Sequence, residues 1–145
     1  MPTSTIHSTI TSLVSGLQSR ANLRKDGVQI SDGFPLEPQQ EMIAVGGATG
    51  WNMSWVAMNP ATRPVEEEFV LELHIRVLRG RGSAAQARER AFVLLQEVED
   101  MLRDDPEISA SVYIGRVSGG AYVNAQSGQN TEARLEMSVE CKARI

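Results

Sequence analysis

Few residues in this chain of 145 have side chains whose type and spacing could do chemistry. It holds two histidines, His7 and His74, and one cysteine, Cys141. A lone cysteine excludes an intramolecular disulfide framework and any multi-cysteine zinc site. With two histidines besides, no dedicated transition-metal centre is expected. His74 stands between Glu72 and Arg76 in a strand-like run. A general base needs a nucleophile or substrate carbonyl within reach, and the sequence supplies neither. His74 is therefore read as a surface or interface histidine paired with a carboxylate. Cys141 falls on the apolar side of an alternating run and reads as a small buried hydrophobe with an unreactive thiol.

The acidic clusters fare no better as sites. Glu66-Glu67-Glu68 and Asp104-Asp105 have the ligand type for a divalent cation, but successive strand residues point to opposite faces and do not converge on one ion. The triplet is read as the solvated start of a strand, and Asp104-Asp105 as a helix end. Gly46-Gly47-Ala48-Thr49-Gly50 lacks the lysine and following Ser/Thr of a phosphate-binding loop and the six-residue spacing of a dinucleotide fold, so it reads as a turn. Asn52-Met53-Ser54 matches the glycosylation triplet, but the N-terminus has no basic region followed by an apolar block, and without secretion the triplet has no meaning. The expectation is no enzymatic activity, no metal and no cofactor.

Composition agrees with an ordinary globular chain. Hydrophobic residues make up 41% and charged residues 22%, enough to bury a core and too apolar for wholesale disorder. The length is that of one domain, 1–145. No apolar run approaches the roughly 20 residues that span a bilayer, so an intracellular domain without membrane contact is expected. The net charge is −4. Residues 1–65 carry four basic and four acidic groups, so the excess lies in 66–145, with ten basic and fourteen acidic. An acidic domain lacks the footprint of a protein that grips phosphate backbones. Twelve of the fourteen basic residues are arginine, the side chain suited to bidentate carboxylate pairing at interfaces, which points towards protein partners.

The elements that position these residues follow from periodicity. Ile6, Ile10, Leu13, Val14 and Leu17 share one helical stripe, predicting a helix near 4–23 capped by Thr3 or Ser4. Residues 26–65 are irregular, punctuated by four prolines, with Glu41–Val45 and Trp51–Met58 poised to pair as a hairpin around the glycine turn. Glu68–Arg79 alternates as a half-buried strand. Ser83 and Gln86 have capping-box spacing. They open a second helix whose stripe is Ala84, Ala87, Ala91, Leu94, Leu95, Val98, Met101 and Leu102, with Arg88, Glu89, Arg90, Glu97, Glu99 and Asp100 facing water. Ala110–Val123 is strand-like but broken by glycines, and Gln126–Asn130 is a polar turn. From Thr131 to Ile145 apolar and charged residues alternate without a break, as in a strand buried on one face. These elements predict an α+β domain of two layers, a mainly antiparallel sheet with two helices packed on one face.

Two groups of residues are candidates for protein interfaces. Met42, Trp51, Met53, Trp55 and Met58 gather both tryptophans and three of the six methionines in one glycine-jointed stretch, residue types enriched where proteins bury surface against partners. The second group is the charged face of the last strand, Glu132, Arg134, Glu136, Glu140, Lys142 and Arg144, whose mixed signs suit either neighbours of complementary charge or cross-strand ion pairs within one sheet.

One stretch has a familiar look. The run Arg79-Gly80-Arg81-Gly82, then Ser83-Ala84-Ala85-Gln86-Ala87-Arg88-Glu89-Arg90-Ala91, then Leu94 through Pro106 resembles the tail terminator (tail-completion or minor tail) proteins of long-tailed phages that infect actinobacteria. The N-terminal helix, the irregular 26–65 segment and the charged final strand match that family's layout. The resemblance implies an α+β subunit closing into a hexameric ring. Such a ring caps the finished tail tube, stops its growth and joins the tail to the connector or stopper proteins of the neck, with DNA passing through without sequence-specific binding. It implies no catalytic residues, and a place at the tail–neck junction of a virion assembled in the host cytoplasm. An acidic channel suits that passage, since like charge repels the DNA backbone. Another head–tail joining or stopper protein, and a small α+β ligand-binding domain with a pocket between helix and sheet, stand as alternatives.

Overall fold

The first apolar stripe forms a helix in two pieces rather than one. Helix α1 spans Ile6–Ser19 and α2 spans Ala21–Lys25, separated by the extended residue Arg20 (φ −67°, ψ 126°). The break turns Leu23 into the same core as Leu13 and Leu17, while the Arg20 guanidinium reaches Glu97 at 3.0 Å. The structure, a computed structural model, describes residues 4–55 and 65–145.

Five strands form one sheet in the order β1-β2-β3-β5-β4. Their ranges are β1 Gln29–Asp32, β2 Glu41–Trp55, β3 Val65–Gly80, β4 Ile114–Ser127 and β5 Asn130–Arg144. Strand β1 runs parallel to β2 and the other pairings are antiparallel. With α3 at Ala84–Asp104, the described residues form an α+β architecture, a mixed five-stranded sheet and three helices where two were expected.

The expected hairpin within 41–58 does not form. Strand β2 runs straight through the glycines and pairs with β3 along its length, from Glu41 opposite Val77 to Trp55 opposite Val65. Two register shifts, Val45 to Ala48 and Thr49 to Asn52, take up the extra residues. Glycine permits a bulge as readily as a turn, and a bulge keeps the long ladder to β3 intact. The short β1 also went unforeseen, because four residues carry too little periodicity to announce a strand.

Alternation in β3 and β5 matches burial except at Glu132. Phe69, Leu71, Leu73, Ile75 and Val77 of β3, with Ala133 through Ala143 at odd positions of β5, are buried in one core with Ala87, Ala91, Leu94, Val98, Met101 and Leu102 of α3. Leu95 is only half-buried, at the rim of the stripe. Gly16 allows α1 to lie close on α3, since a Cβ there would overlap the Met101 side chain. Ser83 precedes α3 as expected, but its side chain makes no cap hydrogen bond, so the capping box is absent.

After α3 the chain turns through three consecutive non-glycine residues in left-handed conformation, Ile108 (φ 47°), Ser109 (φ 54°) and Ala110 (φ 63°). Such residues cost about 1–2 kcal/mol each. Burial of Ile108 and a hydrogen bond from the Ser109 amide to the Asp105 carboxylate at 2.7 Å offset that cost. The turn moves the start of the following strand from Ala110 to Ile114.

Candidate assembly surfaces

The tryptophan-rich stretch lies at the end of the β2–β3 pair where Trp55 stands opposite Val65. Trp51, Met53 and Trp55 are 55%, 39% and 64% exposed. Met58 lies outside the described residues. Met42 is corrected from surface to interior, at 3% exposed. The physical reason is the parallel β1–β2 pairing, which forces the chain between Asp32 and Glu41 back across the sheet. Residues of that loop, Phe34, Pro35 and Pro38, line a cavity of about 300 Å³ together with Met42, His74 and Arg76. There the His74 ring packs against Phe34 at 4.6 Å between centroids, with Glu136 as its cross-strand neighbour.

Beneath the exposed tryptophan sits an acid the sequence reading left in solvent. Glu67 is fully buried, while Glu66 and Glu68 point to the other sheet face and pair with Arg144 and Lys142 at 3.8 and 3.4 Å. The Glu67 carboxylate accepts hydrogen bonds from the Thr5 amide (2.8 Å), the Thr5 hydroxyl (2.6 Å) and the Trp51 indole N–H (2.7 Å). It lies at the start of α1, where unsatisfied amides and the helix dipole favour negative charge. Glu67 thus caps the Thr5 amide, while the Ser4 hydroxyl accepts from the Ile6 amide at 3.1 Å. Burial pushes its carboxyl up, but the hydrogen bonds from Ser4, Thr5 and Trp51 outweigh that and hold it below the ordinary value. Trp51 consequently has its polar end satisfied inside the subunit and its ring held outward. No signal in the local sequence marks Glu67 for burial, since its partners come from 62 and 16 residues away.

Two further acids are drawn in by arginines. Glu41 joins β2 to α3 and β3 by accepting from Arg90 (2.9 Å) and Arg79 (2.5 Å), and Arg90 also reaches Asp26 at 2.8 Å. Burial raises the Glu41 carboxyl, and the bonds and charges of Arg90 and Arg79 bring it below its usual value. Arg90 and Glu97, expected to face water, are instead half-buried partners of Glu41 and Arg20.

The charged face of β5 is only partly a free surface. Glu132 is corrected to buried, at 5% exposed, clasped between Arg134 and Arg76. Burial raises its carboxyl, and those two guanidiniums more than reverse the effect. Glu140 pairs across the sheet with Arg116 at 3.3 Å, and Lys142 and Arg144 hold Glu68 and Glu66. Because β5 is central, β3 and β4 flank it on both sides and supply these partners from within the chain. Arg134 and Glu136 are exposed at the rim of the cavity under the loop.

Of the exposed apolar side chains, the sequence pointed to Trp51, Met53 and Trp55 but not to the others. Eleven large hydrophobic side chains are exposed among the described residues. Five, Phe34, Leu36, Trp51, Met53 and Trp55, lie on β2 or the loop before it. Four more, Tyr113, Ile114, Tyr122 and Val123, lie on β4 or immediately before it. The last two, Phe92 and Val93, are on α3, with the Phe92 ring leaning on Tyr122 at 5.9 Å. These positions flank the two opposite edges of the sheet. The one available signal was composition, since β4 has a single charged residue, Arg116, in fourteen.

Cys141 is buried, and desolvation pushes its thiol up to about 12, which leaves it unreactive. Among the described residues no group of three His, Cys, Asp or Glu side chains is placed to hold a metal ion, and no helix is long and apolar enough to cross a membrane.

No family model matches the chain, and no curated protein does. Among solved structures it is similar to a chain of "Virion of native gene transfer agent (GTA) particle", with 13% identity, a TM-score of 0.43, and coverage of 92% of this chain and 94% of that one. A superposition this loose carries no functional argument.

Proposed function

We propose that this chain is a virion structural protein, the tail terminator of a long-tailed phage. In this reading its copies form a ring, six in number, that caps the finished tail tube, ends its elongation and joins the tail to the neck. DNA passes through the centre without sequence-specific contact, and the protein has no catalytic activity of its own. Support comes from the resemblance across residues 79–106 and from one feature of the fold, the outward tryptophan at the end of the β2–β3 pair. Trp51 has its indole N–H bound to buried Glu67 and its ring exposed, so it offers a partner apolar area at little cost in lost side-chain freedom. Within the subunit only the indole N–H of Trp51 is used, in satisfying Glu67, and its exposed ring offers contact area to a partner.

Deletion from its phage is the test. Heads should remain intact, with tails abnormally long or unjoined, as seen by electron microscopy of lysates. Tails of normal length attached to heads would overturn the reading. A neighbouring neck protein, a joining or stopper subunit, would instead leave tail length normal and heads unjoined. A second reading, a small ligand-binding domain, has the 300 Å³ cavity under the 33–38 loop in its favour. Images of the purified protein separate the two, as an annular particle with an open centre for the ring and single small particles for the binding domain.

A further inference from the structure

The acids drawn inward in this chain are held in two ways. Glu41 and Glu132 have arginines beside them, so charge balances charge. Glu67 is fully buried and has no ion pair among the described residues. Its carboxylate rests on neutral donors from two elements. From the start of α1 come the Ser4 hydroxyl and the Thr5 amide and hydroxyl, with both Thr5 bonds on Oε1. From β2 comes the Trp51 indole N–H, on Oε2. One rigid group therefore ties a side chain whose ring is exposed to the first turn of α1.

Such a carboxylate does not lose part of its donor set and stay in place. A buried charged oxygen left without a donor is costly, and no cation holds the group back as it turns towards water. Both oxygens belong to one planar group, so a turn that rescues Oε2 takes Oε1 off Thr5. The leading amide of α1 then loses its acceptor. Linkage makes the coupling reciprocal, so whatever orders Thr5 also holds the indole. We propose that Glu67 is a latch that makes the Trp51 ring and the first turn of α1 one two-state unit, closed in this structure. A contact that draws the ring away opens the start of α1, and one that presses it home tightens it. The identity of what meets Trp51 rests on the ring reading, and the coupling itself does not.

Hydrogen exchange in the intact chain, followed by nuclear magnetic resonance, tests the latch from both ends. Trp51→Phe keeps a ring and removes the N–H donor. The amides of Thr5 and Thr9, which bond to Glu67 and to the Thr5 carbonyl, should then exchange about tenfold faster, with those of Leu94 and Val98 in α3 unchanged. Unchanged exchange at Thr5 and Thr9 overturns the proposal. Equal acceleration in α3 does so too, since Trp51 would then support the whole fold and not the start of α1. From the other end, Thr5→Ala removes the hydroxyl bond and leaves Trp51 untouched, so it serves even if Trp51→Phe does not fold. The indole N–H of Trp51 should exchange faster in this variant and that of Trp55 should not. An unmoved Trp51 indole, or equal acceleration at both indoles, overturns the latch. The phage deletion is independent of these results. Failure of the exchange test dismisses the latch and leaves the terminator, and normal tails in the deletion dismiss the terminator and leave the latch.

Discussion

Strands β5 and β4 lie side by side in one sheet, are nearly equal in length, and could hardly differ more as sequences. In β5 apolar and charged residues alternate from Thr131 to Arg144, and the buried positions follow that alternation except at Glu132. In β4 there is no alternation, and nearly every residue from Ser118 to Gln126 is exposed. The difference is one of environment. A central strand has a dry face and a wet one along its whole length, so each position is selected by the face it meets. An edge strand that the helices cover only in part has no such constraint until something pairs with it. The strand that is regular in sequence has a neighbour on each side, and the irregular β4 has one on a single side among the described residues.

That contrast is most sharply tested by placing the same charge in both strands. Val139→Asp in β5 buries an unpaired carboxylate in the core, which costs several kcal/mol, much of a stability of roughly 5–15 kcal/mol. It should abolish soluble expression. Val123→Asp in β4 should shift monomer stability by no more than about 0.5 kcal/mol. Thermal melts of the two proteins decide it, and equal effects would show that β4 is as buried as β5.

The seam between the strands comes next. β4 bulges between Val117 and Gly119, and the chain then approaches β5 so closely that a Cβ on Gly120 would overlap the Glu136 carbonyl oxygen. Gly120→Ala should therefore open the β4–β5 ladder, at a cost of about 1–3 kcal/mol for overpacking. It should also speed amide hydrogen exchange in β4 more than in β5. An alanine variant with unchanged exchange would place the bulge elsewhere.

The smallest effect at ordinary pH is electrostatic. Glu41, Glu67 and Glu132 are held below the ordinary glutamate value by arginines or hydrogen-bond donors. An acid whose folded value is depressed stabilises the fold above its unfolded value, and that contribution is lost as pH falls through the folded one. Melting temperature should be flat across neutral pH and decline as pH drops below about 4.5. β4 carries no acid, so variants within it should leave the shape of that decline unchanged. A decline that begins near neutral pH would point to a different titrating group.

The residues that made parts of this protein legible are those whose surroundings repeat at the period of their element. The stripe of α3 and the alternation of β3 and β5 record a buried face every third or fourth, or every second, residue, and a chain read alone shows that record. The inert Cys141 and the outward tryptophans followed from residue type set on those patterns. The reading failed where the neighbour that matters is remote in sequence. Nothing local distinguishes Glu67 from Glu66 and Glu68 as the one that sinks beneath Trp51 to hold the start of α1. Nothing local shows that the glycines of β2 would bulge rather than turn, because the ladder that favours the bulge belongs to β3. Met42 looked like surface until the loop folded back over it.

By itself, then, the sequence determined the α+β class and the faces of its long elements, both consequences of burial at a fixed period. The tertiary structure alone decided the order of strands and, among the described residues, which charges found partners and which edges did not. The reason is that hydrogen-bonding capacity at a strand's edge is the same whatever its side chains. Only the arrangement of the strands determines whether that capacity is used within the chain or remains for a neighbour.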